Sequence, residues 1–213
     1  MVIAPLLAAV GVYQDSAILI VGAMVVGPEF GPLAGFCVAA VERQRELALR
    51  SARALAVGFP LAITAAFLAT LAFRATGLFE DSFSQEGHSI ANIIAEPDFF
   101  TFFVAACAGT AGMLSLSTAK SGALIGVLIS VTTIPAAANI GLAAAYGDGS
   151  EWRGAMTQLS VNLVMIVLAG VGTLFVQRLL YRRRRIKHLS DPAREKAGLP
   201  VGRSARSDRG PEA

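Results

Sequence analysis

Residues 15–32, DSAILIVGAMVVGPEFGP, decide how this chain is read. After Asp15 and Ser16 an apolar run continues to Val26, and then Gly27, Pro28, Glu29, Gly31 and Pro32 interrupt it. Proline inside a helix removes a backbone donor and clashes with the preceding turn, leaving carbonyls unpaired. In hydrocarbon each unpaired group costs several kcal/mol, and such a break survives only where protein or water satisfies it. A carboxylate at that depth must be protonated, paired or hydrated.

The rest of the chain makes hydrocarbon the expected surroundings. Of 213 residues, 54% are hydrophobic and 15% charged, where soluble domains carry about 25% charged residues. An ordinary globular enzyme is excluded. Crossing about 30 Å of hydrocarbon takes roughly 20 apolar helical residues. Segments 53–73, 99–117, 121–145 and 155–178 meet this length. Dividing the first forty residues at YQDS yields a first helix short by a turn or more and a second over 16–41. The expectation is an all-α membrane protein of six spans. Residues 1–180 form the transmembrane domain, and 181–213 a basic, disordered cytoplasmic tail.

Loop charge sets the orientation. Four arginines lie in ERQRELALRSAR (42–53), and Lys120 and Arg182 to Arg185 mark two further basic regions. The segment 75–98 carries Glu80, Asp81, Glu86, Glu96 and Asp98 without Lys or Arg. Placing basic loops inside puts both termini in the cytoplasm. Eleven of the 18 Lys and Arg lie between Arg178 and Arg209. Beside an apolar span such a block reads as an anchor on anionic lipid, in preference to a nucleic-acid patch.

An internal pairing is visible between residues 15–40 and KSGALIGVLISVTTIPAAANIGLAAA, 120–145. Each begins with a charged residue and a serine, Asp15-Ser16 or Lys120-Ser121. Each meets a proline, Pro28 or Pro135, thirteen or fifteen residues after the leading charge. Two three-helix units with Pro-broken second helices would enter the bilayer from opposite faces, as inverted repeats do. Glu29, about fourteen residues and roughly 21 Å into its helix, becomes the candidate for a small solute or ion path. Pro28, Pro32 and Pro135 free the neighbouring carbonyls, and Asn139 is the polar counterpart in the second unit. Asp15, Ser16, Lys120 and Ser121 read as helix caps or gating positions. Gly27, Gly31 and Gly35 at four-residue spacing suit close helix packing. Gln158 and Asn162 share a helix face and read as bonding across the bundle.

Cys37 and Cys107 lie in apolar stretches without ligand spacing and read as buried free thiols. No catalytic residue, metal site or cofactor is expected. His88 and His188 lie in loops without sequence partners. The expected partners are the lipid bilayer, a small solute or ion and a second copy of the chain, with no nucleic acid.

At DSAILIVGAMVVGPEFGPLAG and AGMLSLSTAKSGALIGVLISVTTIPAAANIG (111–141) the chain resembles the bacterial membrane family known as domain of unknown function 389. The resemblance covers about residues 1–180 and implies a multi-span protein of a bacterial plasma membrane; it assigns no activity. The residues themselves favour a secondary transporter or channel over a non-transporting scaffold or stress-response component. An intramembrane enzyme ranks last, since no HExxH occurs.

Overall fold

The computed structural model describes residues 1–80, 89–96, 98–116 and 122–189, with the backbone alone at 89, 122–132 and 182–189. All regular structure among them is helical. The elements are α1 (Ile3–Tyr13), α2 (Ala17–Val26), α3 (Phe30–Glu42), α4 (Arg45–Ala75), α5 (Ser89–Ala95), α6 (Phe99–Leu116), α7 (Gly122–Tyr146) and α8 (Gly149–Leu189). Residues 1–174 form one compact unit, and the stretch from Phe175 a second.

Among the described residues, three helices are long and apolar enough to cross a membrane: α4, α6 and α8 as far as Tyr181. The bent pair α2 and α3 makes a fourth if counted as one span. α7 adds 25 residues without a charged side chain. α1, at 11 residues, is about 16 Å long and falls short of a crossing. The helices therefore lie where the apolar segments placed them, but three or four spans stand in place of a clear six.

α7 is the centre of the first unit, touching α1, α2, α3, α4, α5 and α6. Its buried positions include the alanines Ala136, Ala137, Ala138, Ala143 and Ala145, so neighbouring backbones approach closely. A β-carbon on Gly141 would stand 2.7 Å from the Ile63 carbonyl oxygen of α4. On α6 the buried seam Ala105, Ala108, Gly109, Gly112 and Met113 repeats at helical spacing. There a β-carbon on Gly109 would stand 2.5 Å from the Ile166 carbonyl oxygen of α8. Large side chains face outward instead: Ile18 is 85% exposed and Phe99 75%. Lipid, not water, is the solvent that suits such a surface.

Two expectations about the breaks are corrected. The 16–41 helix is divided at GPEFGP as well as at YQDS, because Gly27 adopts an extended conformation and α2 ends at Val26. α7, in contrast, runs unbroken through Pro135. A proline denies a donor to one carbonyl, four residues earlier, and packing on every side of α7 holds the helix together across that loss. Gly31 is exposed with nothing within 4 Å of an added β-carbon, so it is not a packing glycine. Gly35 does pack, against Ser51 of α4. Of the thiols, Cys37 is buried and Cys107 exposed.

The acidic face is tied together by aspartate caps and aromatic contacts. Asp98 accepts from the Thr101 amide at 2.9 Å and Asp148 from the Ser150 amide at 2.9 Å, starting α6 and α8. Tyr13 stacks on Phe79 with centroids 3.6 Å apart, and its hydroxyl accepts from the Glu80 amide at 2.8 Å. Arg74 donates to the Ala145 carbonyl at 2.6 Å and lies over the Tyr146 ring.

Gly109→Val is expected to lower stability by about 1–3 kcal/mol through overpacking. Gly22→Ala, whose added carbon meets nothing within 4 Å, should be neutral or gain up to about 1 kcal/mol. Thermal unfolding in detergent checks both. The Ser150 hydroxyl, then the Glu151 amide, hold the Asp148 carboxyl below its ordinary value. Its stabilisation is therefore present above the unfolded-state value and lost as pH falls through the folded one. Asp148→Ala should cost about 1 kcal/mol at neutral pH, and the difference should close only below about pH 3.9.

Candidate functional site

The interruption in residues 27–29 separates α2 from α3, and the two helices meet at 55°. Pro28 carries no amide, so the final carbonyls of α2 find one donor fewer at the break; the Gly27 amide bonds back to Met24 at 3.3 Å. Pro32 falls in the first turn of α3, where a missing amide costs nothing because it would have been unsatisfied anyway. The two prolines thus do different things. Pro28 sits in the break, and Pro32 helps the next helix begin.

Glu29 is the N-cap residue of α3 and is 2% exposed. Its backbone carbonyl accepts from Leu33 at 3.2 Å. Its Oε1 lies 3.4 Å from the Thr133 hydroxyl of α7, which donates to it. Gly27 makes room for this carboxylate: a β-carbon there would stand 2.7 and 2.8 Å from the two carboxylate oxygens and would also run into Ile134. The break and α7 therefore meet face to face at Glu29, Thr133 and Ile134, one residue before Pro135.

Depth follows from counting along the helices. Glu29 precedes the end of α3 at Glu42 by thirteen residues, about 20 Å. Thr133 precedes the end of α7 at Tyr146 by thirteen residues, again about 20 Å. The two-residue turn Gly147-Asp148 connects α7 to α8, and thirteen residues beyond Gly149 lies Asn162, fully buried and level with Thr133. Among the described side chains, the deepest polar layer is thus Glu29, Thr133 and Asn162.

Asn139 is also fully buried, but it does not join this layer. It lies six residues beyond Thr133 and donates through Nδ2 to the Ala91 carbonyl of α5 at 3.3 Å. Asp15 is not the N-cap residue of its own helix. Ser16 is the N-cap of α2 without a side-chain bond, while Asp15, at a left-handed φ of 49°, accepts from the Ile90 amide of α5 at 2.8 Å. Lys120, Ser121 and His88 lie outside the described residues, as does the His188 side chain.

Two site residues escaped the sequence reading. Thr133 stood beside the proline that drew attention, without a charge to mark it. Glu151 stood in an apparently solvated connection, yet the structure buries it completely in the first turn of α8. Spacing held the available signal: Glu151, Gln158 and Asn162 fall on one stripe of a 3.6-residue helix. Among the described residues, no three His, Cys, Asp or Glu side chains converge as a metal would require.

The profile of the family described as "Domain of unknown function (DUF389)" matches residues 24–168. The chain belongs to this family. The match includes the break, Glu29, Thr133 and Asn162. An uncharacterized protein of the archaeon Methanocaldococcus jannaschii, MJ0678, is 25% identical over 171 residues, 80% of this chain and 51% of that protein. The chain thus spans about half the length of the curated relative it matches, and that relative is archaeal, so the resemblance extends beyond bacteria. No solved structure matches.

Gly27→Ala should displace Glu29 and cost about 1–3 kcal/mol through overpacking. Gly31→Ala, four residues on in the same motif, should unfold within about 0.5 kcal/mol of the native protein. Parallel thermal melts of the two variants make the comparison.

Proposed function

We propose that this member of the family is a secondary transporter or channel for a small solute or ion, with Glu29 in the path. The observation that carries the reading is a carboxylate 2% exposed, about 20 Å into the bundle, at a break between two helices. Intramembrane acids are costly and concentrate on ion and proton pathways. A broken helix adds carbonyls from one half and a positive helix start from the other, the pairing that transporters use around bound ions. Thr133 of α7 supplies a hydroxyl from the opposing element.

In this reading α1, the α2–α3 pair and α4 form one three-helix unit, and α6, α7 and α8 the second. That gives six crossings related as inverted repeats, with α1 accommodated by local thinning. Both termini then lie in the cytoplasm of a cell whose plasma membrane holds the protein, with Arg43, Arg45, Arg50 and Arg53 on the same side. The basic tail lies on anionic lipid, and the protein is neither an enzyme nor a nucleic-acid binder.

A membrane scaffold is the second reading. It is favoured by the tight fit of Glu29 against Gly27, as a residue that merely locks a kink would have.

Flux of Na⁺, K⁺ or H⁺ into proteoliposomes, compared between the native chain and Glu29→Gln, separates the two. Transport predicts a saturable flux that falls by about 10²-fold or more in the variant, as loss of a charge from a low-dielectric site implies, with thermal stability retained. Absence of flux from both proteins, or equal flux, supports the scaffold.

A further inference from the structure

A second polar layer lies nearer the acidic face than Glu29, between α5, α7 and α8. Asn139 is fully buried, and its Nδ2 donates to the Ala91 carbonyl. That bond orients the amide, because a carbonyl oxygen can only accept. Oδ1 therefore points away from α5, and among the described residues it has no hydrogen-bond partner. Gln158 of α8 presents a second amide oxygen, Oε1, likewise sealed from solvent and without a partner among the described residues. A buried, unsatisfied polar atom ordinarily costs about 1–3 kcal/mol. Two of them demand an explanation.

Their level in the fold is shared. Asn139 stands seven residues before the end of α7 and Gln158 nine after the start of α8, about 10 and 14 Å from the turn that joins those helices. Ala136, Ala137 and Ile140 of α7 pack with Ala155 and Leu159 of α8 and with Ala91 and Ile94 of α5 in one cluster. Gly154 faces the Ala95 carbonyl at the end of α5. Glu151 and Gln158 flank Gly154 one turn to either side, and Glu151 is fully buried. The layer thus holds two amide oxygens and the negative end of a short helix, with the Glu151 carboxylate about two turns nearer the acidic face than Gln158.

We propose that the amide oxygens of Asn139 and Gln158 form a binding site for a dehydrated monovalent cation, with the Glu151 carboxylate compensating its charge from about two turns away. Oxygen-rich, nitrogen-poor donors suit a hard cation. One carboxylate balances one positive charge, whereas a divalent ion would leave a net charge in low dielectric. The site does not rest on the transport reading: it predicts binding, which is measured without flux.

The test is thermal unfolding of the purified full chain in detergent, with NaCl or KCl titrated against choline chloride at constant ionic strength. Na⁺ or K⁺ should raise the melting temperature saturably, and choline should not. Glu96→Gln, an exposed acid just beyond α5, should keep the effect. Glu151→Gln and Gln158→Leu should each raise the half-saturating concentration by about tenfold or more. Asn139→Asp, which keeps the shape and adds a charge, should lower it by a similar factor and remains decisive if Glu151→Gln fails to fold. Equal shifts with choline, no shift, or an unchanged midpoint in Asn139→Asp overturns the proposal.

Discussion

Everything in this bundle depends on keeping broken backbone inside it, behind an apolar surface that suits lipid. A helix in hydrocarbon satisfies its own amides and carbonyls, and every interruption needs a substitute partner or a shield. The chain contains two kinds of interruption and treats them differently. At residues 27–29 the helix stops, turns by 55° and restarts, with Glu29 buried at the restart. At Pro135 the helix continues, enclosed by six neighbouring helices. The first interruption comes to lie against the second, so a single layer near mid-depth accommodates both.

That arrangement needs thin helices. Alanine and glycine on α7 and α6 bring neighbouring backbones close enough to exclude lipid from the interior, while Ile18, Phe99 and their like occupy the outside. Without a hydrophobic force between helices in lipid, close packing and polar contacts must hold the bundle. The polar residues facing inward include Glu29, Thr133, Asn139, Glu151 and Asn162. Four of them lie along α7 and α8, from the acidic face to mid-depth, where Glu29 meets Thr133 from the break. Membership in the DUF389 family places the break and α7 inside the matched region but supplies no chemistry. The chemical argument stays with the residues.

Much was legible in the sequence because hydrocarbon imposes simple rules. The apolar segments marked α4, α6, α7 and α8 by length, and the Pro-Glu-Pro interruption marked the break and its acid. What composition could not show was any feature that arises from who sits opposite whom. Asp15 precedes a helix and reads as its cap, yet it caps α5, seventy-five residues away. SIANIIA reads as loop because seven residues are too few for a span, yet Ala91 and Ile94 bury it in the core.

The chain by itself determined the helical class, the membrane-compatible surface and the position of one costly carboxylate, because backbone satisfaction and charge burial are penalties each segment meets locally. Tertiary structure decided which proline breaks its helix, that Thr133 meets Glu29, and that Glu151 is interior. Those outcomes depend on the packing of distant segments, which no local pattern encodes.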